Sequence, residues 1–148
     1  MSDARPSPKG RKMGIDFGSK RIGIAVSDAN GVLASPRTVL LRTGSIAADH
    51  RRIAELVAEE EAVLVVVGLP LALDGTEAIA ARGVLAEVAG LEKALDVPVE
   101  MYDERLTTAS AHRTLAAQNV SSRKRRGEVD KWAAAVILQG YLDRHLVS

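Results

Sequence analysis

Between Lys12 and Phe17, and again between Arg21 and Asp28, apolar and small or polar residues alternate along the chain. Met13, Ile15 and Phe17 fall on one side with Gly14, Asp16 and Gly18 on the other, and then Ile22, Ile24 and Val26 oppose Gly23, Ala25 and Ser27. A period of two marks a strand, and the short connection Gly18-Ser19-Lys20 suits a hairpin turn. Val32 to Leu41 predicts a third strand completing a meander. Gly44 and Ser45 supply a helix start, after which Ile46, Ile53, Leu56 and Val57 recur at helical spacing through Glu60. Ala62 to Val67 is an unbroken, largely β-branched run bounded by Gly68 and Pro70. A strand covered on both faces needs that composition, so a central parallel strand is expected there.

After a loop from Leu69 to Gly75, the pattern predicts a helix over Thr76–Leu95, a strand over Val97–Tyr102 and a helix over Thr107–Gln118. Asn119 to Gly127 reads as a polar, basic loop. Glu128 to about His145 reads as a last helix with Val129, Trp132, Ala133, Val136, Ile137, Gly140 and Tyr141 as its apolar stripe. A three-strand antiparallel meander followed by helix, strand, helix, strand, helix gives an α/β fold, a mixed five-stranded sheet with helices on both faces. A Rossmann domain would alternate strand and helix from the start and carry a glycine fingerprint after its first strand, whereas here the first strand leads into a second.

The length, 148 residues, suits one domain. The division expected is a flexible basic tail over 1–12 and a single domain over 13–148, the tail lacking the apolar segment of a secretory signal. The longest apolar stretch, Ala62 to Leu73, is interrupted by Gly68 and Pro70, so no membrane span is expected and a cytoplasmic location is the default. Net charge is only +1, so affinity for nucleic acid would have to come from local patches. Two exist: Arg5, Lys9, Arg11 and Lys12 continued by Lys20 and Arg21, and the run Arg123-Lys124-Arg125-Arg126. Runs like these are usually just solvated surface, so neither alone favours binding. Cysteine is absent, which excludes disulfides, thiolate metal sites and thiol catalysis.

Asp16 stands inside a predicted strand, with Gly14 and Gly18 on its own face and Gly23 and Ala25 expected beside it, which leaves that face open. A carboxylate there is disfavoured by β-propensity and costly to bury alone, so it calls for a cation or a cleft, with a structural salt bridge as the alternative reading. Asp103-Glu104-Arg105 follows the strand Val97–Tyr102, at the edge where ligands collect in open α/β sheets. Spacing leaves Asp103 and Glu104 undecided, and helix capping is an equal reading for Asp103. Asp130 lies in the first turn of the last helix, with Ala133, Ala134, Ile137 and Tyr141 on its own face, so its side chain is expected to point inward. Complementing the helix dipole is an equal reading for it. Three carboxylates without cysteine suit Mg2+ or Mn2+ better than zinc, and paired cations of that kind support phosphodiester cleavage. His50, His112 and His145 are isolated and expected on surfaces. The Gly68-Leu69-Pro70 and Asp74-Gly75 segment is expected at the ligand-facing edge, with ordinary turn chemistry as its alternative.

The segments Gly14-Ile15-Asp16-Phe17-Gly18-Ser19-Lys20-Arg21-Ile22-Gly23, Val67-Gly68-Leu69-Pro70 with Asp74-Gly75-Thr76, Asp103-Glu104-Arg105-Leu106-Thr107-Thr108, and Val129-Asp130 with Ala133-Ala134 and Ile137-Leu138 occur in unbroken order. In this the chain resembles the YqgF-type family of candidate pre-16S ribosomal RNA nucleases, also described as Holliday-junction-resolvase-like, over about residues 13 to 143. The resemblance implies a ribonuclease-H-like fold. It also implies a catalytic and metal-binding trio of Asp16, Glu104 and Asp130, choosing Glu104 over Asp103. Nucleic acid would be met by Lys20, Arg21, Arg105, Arg123, Lys124, Arg125 and Arg126. Leu71-Ala72-Leu73 departs from the family pattern, in which a polar residue is expected, so substrate contacts from that loop do not carry over.

The function expected is a metal-dependent endonuclease trimming the 5' end of precursor 16S ribosomal RNA, acting as monomer or homodimer near the ribosome. A Holliday-junction-resolving DNA nuclease and a non-catalytic RNA- or nucleotide-binding module are the alternatives. Asp16-Phe17-Gly18-Ser19 on a first hairpin is also similar to the phosphate loop of actin-like ATPases, but a single domain supplies only half of their two-domain clamp.

Overall fold

The computed structural model describes residues 9–70, 78–106 and 129–146, the side chains at 78, 129–131 and 146 excepted. The meander is present. β1 (Lys12–Phe17), β2 (Arg21–Ser27) and β3 (Ala34–Leu41) pair antiparallel, with Asp16 opposite Gly23 and Gly14 opposite Ala25. Helix α1 (Ile46–Glu60) starts where the Ser45 side chain accepts the Ala48 amide, satisfying one of the orphan donors of the first turn. It ends at Glu61, whose left-handed φ of 54° lets the Ala62 amide reach the Val57 carbonyl at 3.0 Å.

This cap shifts the next strand. Ala62 is committed to closing α1 and the Val63 amide to the Arg11 carbonyl, so β4 (Leu64–Leu69) begins two residues after the apolar run does and continues through Gly68. Helix α2 (Ala78–Ala94) and strand β5 (Val99–Asp103) follow, then a single 3-10 turn (Glu104–Leu106) and helix α3 (Val129–Leu146). The sheet order is β3-β2-β1-β4-β5, with β4 parallel to β1 and β5. The predicted helix Thr107–Gln118, the basic loop after it, the loop 71–77 and the tail 1–8 lie outside the described residues.

The sheet separates two cores. Met13, Ile15, Ile22, Ile24 and Val67 face α1 and α2, while Ala25, Leu64 and Val66 face α3. Leu64 to Val67 are fully buried, as a strand covered on both faces should be. The buried face of α3 is turned from the predicted stripe: Ala134, Ala135, Leu138 and Leu142 are buried, whereas Ala133 and Val136 are only half-buried. From Trp132 to Leu142 every position but Gln139 is apolar or glycine, so hydrophobicity alone marks the helix angle poorly. The angle is set by contact with Gly14, where an added Cβ would lie 2.7 Å from Leu138 Cβ and 3.0 Å from the Ala134 carbonyl oxygen.

Two polar devices fasten these layers. Buried Gln139 of α3 acts on the chain at the start of β3. Its oxygen accepts the Ala34 amide at 2.9 Å, and its nitrogen donates to the Val32 carbonyl at 3.0 Å and to Asp143 at 2.9 Å. Glu60, at the end of α1, accepts from Arg11 at 2.9 Å and from Arg37 of β3 at 2.7 Å. Arg11 and Lys12, grouped by sequence with the basic tail, thus belong to the domain: Arg11 pairs with Glu60, and Lys12 opens β1 only 4% exposed. Burial lowers the Lys12 ammonium from its ordinary value, opposed in part by Asp28.

Replacing Gln139 with Leu removes the side-chain partner of the buried Ala34 amide and of the Val32 carbonyl. It is expected to cost about 1–3 kcal/mol in urea unfolding, with the slope of the transition unchanged. The hydrogen bond from Arg37, helped by Arg11, holds the Glu60 carboxyl below its ordinary range against the opposing effect of burial. A carboxylate depressed in the folded state stabilises above its unfolded pKa, about 4.3, and loses that contribution as pH falls through the folded value. The stability gap between the parent and Glu60→Gln should therefore be constant near neutrality and close as pH drops below about 4.3, read by thermal unfolding across pH.

Candidate active site

Asp16 is the next-to-last residue of β1. By strand alternation its side chain lies on the same face as Gly14, the face that α3 covers. The expectation that this face is open is corrected: Gly14 lets the backbone of α3 approach closely, and Asp16 is half-buried. Beside Asp16 the sheet is bare of side chains, with Gly23 opposite it on β2 and Gly68 one step past the Ile15–Val67 pair on β4.

Glu104 follows β5 and turns back over Gly68. A Cβ placed on Gly68 would come 3.0 Å from Glu104 Oε2 and 3.0 Å from Ile137 Cγ1, and would collide with Ile137 Cδ1. Gly68 thus seats both the glutamate tip and the α3 side chain. Neighbouring strands are about 4.8 Å apart, so the carboxylates of Asp16 and Glu104 share one face and one edge of the sheet, at the C-terminal ends of the parallel strands.

Asp103 behaves differently from its neighbour. It accepts the Arg105 amide at 2.9 Å and the Arg105 guanidinium at 2.8–3.1 Å, which caps the 3-10 turn. The Arg105 hydrogen bonds hold its carboxyl below the usual range. Geometry therefore separates the pair that spacing leaves undecided: Asp103 shapes the turn and Glu104 faces the sheet edge.

The first turn of α3 contains Asp130, whose side chain is outside the described residues. The backbone course is clear. Leu142 lies with Lys12 against Gly31, and Leu138 and Ala134 lie over Gly14, so α3 runs antiparallel to β1. One further turn toward the helix start, about 6 Å, matches the two strand residues from Gly14 to Asp16, about 6.6 Å. Among the described residues no group of three or more His, Asp or Glu forms a metal cluster. Lys20 and Arg21 are exposed at the β1–β2 turn, Arg105 is exposed but engaged with Asp103, and Arg123 to Arg126 fall outside the described residues.

His50 is corrected from surface to core. It is buried, its Nε2 is 3.3 Å from Glu87 Oε2, and its ring lies 6.2 Å from that of Phe17. Its spacing of three and seven residues before Ile53 and Val57 carries that signal. His145 stacks on Tyr141 at 4.0 Å, and His112 is outside the described residues. Glu87 also takes a two-pronged contact from Arg42 at 2.8 and 2.9 Å, a pairing that holds the guanidinium above its ordinary value. No sequence spacing announced Arg42 or Glu87.

A family model described as RuvX, Holliday junction resolvase, matches residues 10–144. The chain belongs to this family. Relatives named "Putative pre-16S rRNA nuclease" include one from Anaeromyxobacter dehalogenans, 48% identical over 90% of this chain and 97% of its own length. Another, from Nocardia farcinica, is 45% identical over 94% and 83%. Among solved structures, Thermus thermophilus RuvC in complex with Holliday junction substrate superposes at a TM-score of 0.59 with 18% identity, covering 93% of this chain and 96% of that one. Fowlpox virus resolvase with Holliday junction DNA superposes at 0.51 with 10% identity, covering 92% and 99%. These likenesses bear out the ribonuclease-H-like fold, and the RuvX family together with its relatives bears out the nuclease class. Among the described residues no helix is long and apolar enough to cross a membrane.

Gly68→Ala should cost about 1–3 kcal/mol through overpacking. Adding Ile137→Val, which removes the colliding Cδ1, should recover part of that loss. A double-mutant cycle by urea unfolding reads the coupling, and strict additivity would contradict the seat described for Gly68.

Proposed function

We propose that this RuvX-family chain is a metal-dependent endonuclease that trims the 5' end of precursor 16S ribosomal RNA in the cytoplasm, with Asp16, Glu104 and Asp130 holding Mg2+ or Mn2+. The observation that carries the reading is the Glu104 carboxylate folded over Gly68 on the same face and edge as Asp16. The donors fit a hard cation: they are carboxylate oxygens, without a thiolate, beside Gly23 and Gly68, which add no side chain of their own. A cation bound there supplies activation of the attacking water and stabilisation of the leaving oxygen. The chain's own contribution is positioning. Asp16 is fixed by strand pairing, Glu104 by the turn that Asp103 and Arg105 close, and Asp130 by the helix packed on Gly14.

Lys20 and Arg21 flank the carboxylate edge and suit phosphate contacts, and Arg123 to Arg126 add a second basic segment. Arg105 shares its charge with Asp103, so it contributes more to the shape of the turn than to attraction. RNA is favoured over DNA by the names of relatives that match this chain at 45–48% identity. The second reading, a junction-resolving DNA nuclease, rests on the family description and requires a homodimer for paired cuts. A monomer suffices for single cuts in RNA, and association with the ribosome would bring it to its substrate.

Incubating a precursor 16S rRNA fragment and a four-way DNA junction with Mg2+ or Mn2+ separates the readings. The expected outcome is metal-dependent RNA cleavage, reduced at least about 100-fold in Asp16→Asn at an unchanged unfolding midpoint. Undiminished cleavage by that variant removes the proposed site. Preferential paired incision of the junction selects the second reading.

A further inference from the structure

On the sheet face opposite the carboxylates, a charged cluster reaches the turn next to Asp16. Arg42, just after β3, donates its backbone amide to the Lys20 carbonyl at 2.9 Å and its Nε to the Gly18 carbonyl at 2.8 Å. Its two terminal nitrogens grip the Glu87 carboxylate of α2, and its guanidinium carbon stands 5.5 Å from the centre of the Phe17 ring. Glu87 is shared with buried His50 of α1. Arg42 is itself held from behind: the next residue, Thr43, donates its amide at 3.1 Å and its hydroxyl at 2.9 Å to buried Asp49, which has Arg52 at 4.0 Å.

A hairpin turn needs none of this to form. Burying an ion pair has a desolvation cost that hydrophobic replacements often avoid, whereas a planar fork provides fixed geometry. The arrangement is placed to use that geometry. Arg42 pins Gly18 and Lys20, and Gly18 is two residues from Asp16.

We infer that Arg42 is a positioning residue that locks the β1–β2 turn, and with it the Asp16 end of β1, onto α2, with Glu87 and His50 as its socket. The part concerning cation binding rests on the proposed function, and the locking does not. Lysine retains the charge but not the planar fork, whose three separate nitrogens reach the Gly18 carbonyl and both Glu87 oxygens at once. Glu87→Gln keeps the shape of the socket and removes its charge, providing a second, milder variant.

The test is hydrogen exchange on the full chain, at the Gly18 amide, which donates to the Arg21 carbonyl, and at the Arg42 amide. In Arg42→Lys and Glu87→Gln, both amides should exchange at least tenfold faster while the Ile15 and Ile24 amides are unchanged. Mn2+ affinity, read by electron paramagnetic resonance without substrate, should fall at least fivefold. In cleavage assays kcat should fall about tenfold with KM within twofold. Parent-like exchange at Gly18 and Arg42 in both folded variants overturns the inference. Parent-like Mn2+ affinity despite faster exchange overturns its link to Asp16. A parent protein that binds no Mn2+ instead overturns the proposed metal site, while the exchange result still decides the lock.

Discussion

The close approach of α3 to the sheet is the constraint on which the remaining architecture rests. Helix and sheet meet at this distance only because Gly14 and Gly68 present no side chain. A Cβ on Gly14 would meet Leu138 and the Ala134 carbonyl, and one on Gly68 would meet Ile137 and Glu104. Close packing transmits such contacts without slack. The two glycines therefore fix the depth and angle of the helix whose first turn contains Asp130, and one of them also seats Glu104. Packing and site geometry are here the same set of contacts.

The two faces of the sheet divide the work. On the α3 face small residues, Gly14, Ala25 and Gly68, let α3 and the Glu104 carboxylate close onto the sheet beside Asp16. On the other face large aliphatic residues bury the sheet under α1 and α2, and the Arg42–Glu87–His50 group ties the turn beside Asp16 to that thicker layer. Such a division would suit the proposed site, in which Asp16 and Glu104 share one edge of the sheet.

The family name and the names of relatives point to different nucleic acids, a DNA junction in one case and precursor ribosomal RNA in the other. Both names describe cleavage of phosphodiesters, and the carboxylate edge proposed above would serve either reaction. Substrate choice then depends on the surroundings of that edge, on basic residues and oligomeric state, which the carboxylates do not determine.

The sequence by itself determined the order of the described elements and the mixed sheet, and it singled out Asp16 as a candidate, because strand alternation and the unbroken run at β4 are local signals and a carboxylate inside a strand violates a local rule. It located β4 with a two-residue offset because apolar character cannot reveal that Ala62 and Val63 spend their amides on the α1 cap and on Arg11. Which of Asp103 and Glu104 closes the turn, left open by spacing, was decided only when the fold engaged Asp103 with Arg105 and sent Glu104 over Gly68. The angle of α3, the burial of His50 and the grip of Arg42 on Gly18 were decided by tertiary structure alone. Each depends on residues distant in the chain meeting across the sheet, and no periodicity within one segment records which partners those will be.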